Sequence, residues 1–365
     1  MDLISTILDY AIPFLVVLTV LVFFHELGHF LVARYNNVRV EVFSVGFGPE
    51  LFGRTDKNGT RWKFSIIPLG GYVKMFGENT SPGDIENAHV LTPEEEEVAF
   101  HKKSVLQRSA IVFAGPAANF ILAIVLFAGL FTLVGQPFTS PQIGKVHAES
   151  AAEKAGLQAG DIFLQIDGRP IERFEDVQQV VVLNTGDPLN IMVNRDGAKL
   201  TLQATPELVE RQDRSGNTHR LGVLGVSSIG RDHIRHDPLT AIWRAVLESG
   251  YLTVGTLKAI GQVISGERDT KELGGPIKIA QISHDFAQIS PDSLVWLIAL
   301  LSINLGLLNL FPIPMLDGGH LLFYAFEAVM GRPLGERAQE IGLRIGLALV
   351  ISLMVFVTVN DLINL

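Results

Sequence analysis

Residues 25–29 read His-Glu-Leu-Gly-His. On a helix, positions i and i+4 share a face, so both imidazoles can reach one ion with Glu26 beside it. Imidazole nitrogen suits zinc, and a catalytic zinc site takes three protein ligands and keeps one position open. The chain has no Cys, so thiolate ligation is excluded and any metal must be held by His and carboxylate. The candidate third ligand is Asp317, in the segment Asn309-Leu-Phe-Pro-Ile-Pro-Met-Leu-Asp317-Gly-Gly-His320. The expected chemistry is zinc-assisted peptide hydrolysis, with Glu26 taking a proton from water and returning it to the leaving amine. A buried His–Glu network that only packs helices, with Asp317 as a helix cap, would use the same residues. His320 fits either a group supporting the ligands or a surface histidine.

The surroundings of these residues set them apart. The chain is 48% hydrophobic and 18% charged, with a mean hydropathy of +0.32. An ordinary soluble domain is about 25% charged. The apolar residues gather at 11–32, 110–134, 294–311 and 342–359, each close to the about 20 residues that span a bilayer core. The expected fold class is a polytopic α-helical membrane protein with four transmembrane helices, a small membrane-associated β-sheet and an inserted extracytoplasmic α+β domain. The first span is expected to be retained, because residues 1–10 hold Asp2 and Asp9 and no basic group. A net charge of −9 argues against nucleic acid as a partner, and the lipid bilayer is the expected surrounding. The low charge and high apolar content exclude a disordered chain.

Orientation follows from Lys and Arg near the span ends. Ten lie between spans one and two, from Arg34 to Arg108, and Arg332 and Arg337 lie between spans three and four. Residues 1–10 and the tail after Val350 have none. Both termini are therefore expected to face outward, with the active site toward the cytoplasm and residues 135–291 outside. Residues 239–264 have apolar positions at helical spacing, interrupted by Arg244, Glu248 and Lys258. They read as an amphipathic helix on the membrane surface. A fifth span there would put Asp317 on the face opposite the histidines, so the metal constellation supports four.

Pro312 and Pro314 cannot continue a helix and would make an extended stretch that returns Asp317 to the site, and Gly318-Gly319 would allow a tight turn after it. Asn304 and Asn309 are polar residues in an apolar span, where substrate contact and interhelical hydrogen bonding are both open roles.

Residues 38–42 and 62–66 alternate apolar and polar, which reads as strands, with Asp56-Lys57-Asn58-Gly59 as the turn. A sheet edge so close to the HExxH helix could capture an unwound substrate segment by strand addition, with Gly46 and Gly48 letting backbones approach. An interfacial hairpin that only plugs the cytoplasmic mouth is the other reading. Residues 81–100 read as a solvated loop with a short helix after Thr92-Pro93. Residues 143–171, with Gly160-Asp161 before a strand over 162–166, resemble a bacterial PDZ domain. Its helix would cover 150–155, its second helix 174–182, and its later strands 189–193 and 198–204. Such a domain would bind peptide or screen substrates by size.

These features together resemble the site-2 protease family of intramembrane zinc metalloproteases, in its bacterial sigma-E-regulator branch. The likeness rests on the intramembrane HELGH, on NLFPIPMLDGGH, on Phe43-Ser-Val-Gly-Phe-Gly48-Pro, on Pro68-Leu-Gly-Gly-Tyr-Val-Lys-Met75 and on Gly115-Pro-Ala-Ala-Asn119-Phe. The chain has room for one PDZ module where the enterobacterial type carries two. The resemblance implies His25, His29 and Asp317 as zinc ligands and Glu26 as catalytic acid/base. It implies that Asn304, Asn309, Pro312 and Pro314 handle substrate. It also implies regulated intramembrane proteolysis of a single-pass membrane protein, such as an anti-sigma factor after a prior periplasmic cut. The expected organisation is a first span over 1–35, a hairpin and loop over 36–106, a second span over 107–134 and a PDZ domain over 135–232. An amphipathic segment over 233–291, a third span over 292–319 and a turn with the fourth span over 320–365 complete it. Two rivals differ in class. A membrane-anchored zincin cutting soluble segments would place HExxH after its span. The other is not an enzyme but a zinc transporter or a PDZ scaffold with a relic metal site, and a transporter would show polar residues along a path through both membrane halves.

Overall fold

The computed structural model describes residues 3–78, 91–183, 186–212, 218–266 and 274–363. They form two compact units, residues 1–130 with 238–365, and residues 131–237. The expected loop at 81–100 lies outside the described residues as far as 90.

The first unit begins with α1 (Leu3–Tyr35), whose last third carries HExxH. The helix ends where Asn37 turns to φ 55°, a left-handed conformation that Asn tolerates at a helix C-terminus. The Val38 N–H then closes onto the Ala33 carbonyl at 2.9 Å. Next come β1 (Val40–Thr55) and β2 (Arg61–Met75), far longer than the short alternating runs suggest. Both strands bend, β1 at Gly46 (φ 92°) and Gly48 (φ 84°). Residues 42–45 are matched to Lys74 back to Gly71 on one side and to Arg61 up to Phe64 on the other. Residues 50–55 pair with 65–61. Two strands thus lie as four segments, in the order 50–55, 61–65, 40–45, 71–75. The turn between them is built on Asp56, whose Oδ1 accepts from the N–H groups of Asn58 and Thr60. α2 (Pro93–Val98) starts with a capping box between Thr92 and Glu95, and α3 (Val105–Leu133) follows. Phe30, Phe43, Val45, Met75, Phe100 and Ile111 form a core joining α1, the sheet and α3. Phe43 stacks on Trp62 at 4.3 Å.

The second unit contains, in chain order, β3 (Gln136–Thr139), β4 (Ile143–Val146), α4 (Ala151–Lys154), β5 (Ile162–Ile166) and β6 (Arg169–Pro170). Then come α5 (Phe174–Leu183), β7 (Leu189–Arg195), β8 (Ala198–Ala204), β9 (Glu207–Gln212), β10 (Thr218–Val223), β11 (Val226–Ser228) and β12 (Arg231–Ile234). The sheet order β6-β5-β7-β8 forms one layer. Its buried Phe163, Ile166, Ile191 and Val193 pack with Val177 and Val181 of α5. β3 pairs with β12 and β4 with β11, so strands near the start of the unit meet strands near its end. Asp161 is held by a fork, Arg195 Nε and Nη2 each donating at 2.7 Å. Burial alone would raise that carboxyl, but Arg195 and the Gln158 N–H hold it below its usual range.

The chain returns to the first unit with α6 (Pro238–Ser265), α7 (Pro276–Ile289), α8 (Pro291–Asn309), α9 (Asp317–Met330) and α10 (Glu336–Ile363). Asp361 near the end of α10 caps the start of α7, accepting from the N–H groups of Gly275, Ile277 and Lys278 at 2.9–3.1 Å. Among the described residues, four helices are long and apolar enough to cross a membrane: Leu8–Tyr35, α3, α8 and Arg337–Ile363. These match the four expected spans, and α6 is not one of them. The third span is shorter than the expected 292–319. α8 stops at Asn309, and a link over 310–316 with Pro312 and Pro314 leads into α9. Gly318 and Gly319 do not turn the chain; they lie in the first turn of α9. A Cβ at Gly318 would stand 2.2 Å from the Phe311 carbonyl oxygen, and one at Gly319 2.4 Å from that of Ile313. The glycines let the helix start fold back against its own link.

Candidate metal centre

HExxH delivers its two imidazoles to one side of α1, and that side faces α3. A Cβ at Gly115 of α3 would stand 2.2 Å from His29 Nε2 and 2.9 Å from His25 Cε1. A Cβ at Gly28 would stand 2.2 Å from the Ala114 carbonyl oxygen. Small residues thus bring the helix backbones close, as transmembrane packing favours. Gly306 does the same for α8, where a Cβ would stand 3.0 Å from the Pro116 carbonyl oxygen.

Asp317, the first residue of α9, completes the cluster. His25 Nε2 and His29 Nε2 are 3.3 Å apart. Asp317 Oδ2 is 3.2 Å from His25 Nε2, and Oδ1 is 3.6 Å from His29 Nε2. A tetrahedral zinc with bonds of about 2.1 Å spaces its ligand atoms about 3.4 Å apart. Asp317 Oδ2 is also buried without a hydrogen-bond partner, an acceptor that a cation would satisfy. Donor set and spacing therefore fit zinc. Among the described residues this is the group of three His, Cys, Asp or Glu able to hold a metal ion.

The two imidazoles are held from behind. His29 Nδ1 lies 2.9 Å from the Ile111 carbonyl oxygen of α3, and His25 Nδ1 lies 3.1 Å from Asn119 Nδ2. Neither contact was legible in the sequence, because each pairs residues far apart in the chain. Glu26 points toward the sheet. Its Cγ is 3.3 Å from where a Cβ of Gly71 would stand, and its carboxylate meets the backbone N–H of Val73. The outer segment 71–75 therefore runs beside the catalytic candidate.

The remaining expected residues are placed less directly. Asn304 Oδ1 accepts from Thr256 Oγ1 of α6 at 3.0 Å, an interhelical contact. Asn309 is the last residue of α8, and Pro312 is exposed in the link. The Pro314 carbonyl faces α10, only 1.9 Å from where a Cβ of Gly346 would stand. Gly46 and Gly48 form the bend of β1, and a Cβ at Gly46 would stand 2.8 Å from the Ile67 carbonyl oxygen. His320 lies three residues beyond Asp317, its ring edge-on to Phe323.

Helices able to cross a bilayer, with HExxH and a converging aspartate among them, define a membrane-bound zinc metalloprotease. The chain matches Peptidase family M50 over residues 13–353, and it belongs to that family. It is 44% identical over 362 residues to a protein of Agrobacterium fabrum named "Putative zinc metalloprotease", covering 98% of this chain and 96% of the relative. A Brucella suis protein of the same name is 47% identical over 365 residues, with the same coverage of each. The PDZ domain of an SdrC-like protein from Listeria innocua covers 27% of this chain and 99% of its own, at 17% identity and a TM-score of 0.21.

Proposed function

We propose that this zinc metalloprotease cuts a peptide bond within the transmembrane segment of a single-pass membrane protein. The observation that carries the reading is the position of His25, Glu26 and His29 within an apolar helix, beside Asp317. Ionisable groups in such a helix are costly and mark function. His25, His29 and Asp317 hold the zinc. When bound, zinc polarises a carbonyl and makes water more acidic. Glu26 accepts the proton of the attacking water and delivers it to the leaving amine. A substrate helix hides its peptide bonds in its own hydrogen-bond ladder, so it must be locally unwound. The segment 71–75 beside Glu26 offers a sheet edge for that extended stretch.

The basic residues between the first two spans support a cytoplasmic-side active site, with both termini and residues 131–237 periplasmic. In this reading residues 131–237 are a PDZ domain that screens what reaches the membrane part. The substrate class is a protein already shortened outside, such as an anti-sigma factor. The test is Glu26→Gln in proteoliposomes with a membrane-embedded substrate. Zinc content should stay at one per chain while cleavage is lost. Cleavage at the normal rate by that variant would refute the assignment.

A further inference from the structure

Asn119 is a completely buried polar residue, 0% exposed, on the membrane-crossing α3. Its backbone oxygen accepts from Ser302 Oγ of α8 at 2.8 Å. A Cβ at Gly306 would stand 3.2 Å from its own Cβ. Backbone and Cβ are therefore fixed by α8, and the amide is aimed at His25. Its Nδ2 is 3.1 Å from His25 Nδ1, while its Oδ1 is buried with no partner.

This pairing suits one form of His25. An amide N–H can donate to Nδ1 only when that nitrogen bears a lone pair, which leaves the ring hydrogen on Nε2. A ring that gives its Nε2 lone pair to zinc carries the hydrogen on Nδ1 instead. Two donors would then face each other at 3.1 Å. Rotation of the amide by 180° about Cβ–Cγ exchanges its oxygen and nitrogen in almost the same places. The oxygen without a partner then accepts from Nδ1–H. His29 needs no such adjustment, because its Nδ1 already faces the carbonyl oxygen of Ile111.

We infer that Asn119 is a positioning residue for zinc, holding His25 by accepting its Nδ1–H through the amide oxygen. The inference rests on the reading of His25 as a zinc ligand. An amide serves both states, donating to the free ring and accepting from the metal-bound one. A partner behind a histidine ligand fixes ring orientation and raises its basicity, and its loss typically costs 10–100-fold in metal affinity.

The test is zinc affinity of the full chain in detergent, read by competition with a chelator, together with the melting temperature of the metal-free protein. Asn119→Leu keeps the heavy-atom count and the branching at Cγ but removes the acceptor, and should weaken zinc about 10–100-fold with little change in metal-free melting. Asn119→Asp keeps an acceptor and should bind zinc at least as tightly as the wild type. A packing role predicts the opposite ranking, since Leu fits an apolar interior and Asp does not. Wild-type affinity in Asn119→Leu, or equal loss in both variants, overturns the inference. Should Asn119→Asp fail to fold, the Leu variant decides alone. His25→Ala separates the two readings: if it keeps zinc, the ligand assignment fails, whereas if it loses zinc while Asn119→Leu does not, only the role of Asn119 fails.

Discussion

Gly115→Ala should disable the metal centre through a single methyl group. The added Cβ would stand 2.2 Å from His29 Nε2, where ordinary contacts are 3.4–4 Å. The imidazole must retreat by about 1 Å, and a misplacement of that size can cost about 100-fold in rate, which corresponds to about 2.7 kcal/mol of barrier. Zinc bonds of about 2.0–2.1 Å leave little slack, so zinc content should fall as well. Gly129→Ala in the same helix is the control, because a Cβ there meets nothing within 4 Å. Both changes replace a helical glycine by alanine, worth about 1 kcal/mol of helix propensity, so a general effect on α3 would appear in both. Cleavage rate and zinc per chain are measured on purified protein in detergent. Wild-type zinc content and rate in Gly115→Ala would show that α3 does not press on His29, and the helix packing described for the site would be wrong.

Two further outcomes follow from groups away from the metal. Arg195→Met should destabilise the β5–β7 region at neutral pH, because it leaves the buried Asp161 carboxylate without its guanidinium partner. The native Asp161 carboxyl is held low, so the contribution of the pair is complete above about pH 4 and is lost as pH falls through the native value. Hydrogen exchange of β5 and β7 amides in the full chain should show the gap between variant and wild type closing in that range. Asp361→Ala should cost about 1–2 kcal/mol as a lost helix cap, seen as faster exchange of the Ile277 and Lys278 amides, with a smaller effect for Asp361→Asn.

The strongest signals in the sequence were those set by local pattern. Helix spacing within HExxH placed both imidazoles together, and apolar runs marked the helices able to cross a membrane. In the second unit, β5 and β8 occupy the stretches that the likeness to a PDZ domain suggested, 162–166 and 198–204. Elsewhere distant contacts decided the outcome. β1 runs to Thr55 because its bend at Gly46 and Gly48 lets one strand pair with β2 on both flanks. Gly318 and Gly319 read as a turn, yet helix packing against the carbonyls of the link made them part of α9. The pairings of β3 with β12 and β4 with β11 join strands too short to carry a pattern. Asn119 gave no local signal for its place behind His25, since that place depends on α3 crossing α1.

The order in which the ligands are encoded has a consequence for the enzyme's own birth. His25 and His29 leave the ribosome ahead of β1, whereas Asp317 follows only after α8. A growing chain that ends before α9 holds two imidazoles and Glu26 but lacks Asp317. A centre that needs all three side chains is thereby deferred until residues 131–237 and three of the four helices able to cross a membrane have been synthesised. An unfinished copy carries no competent cutting centre into the membrane.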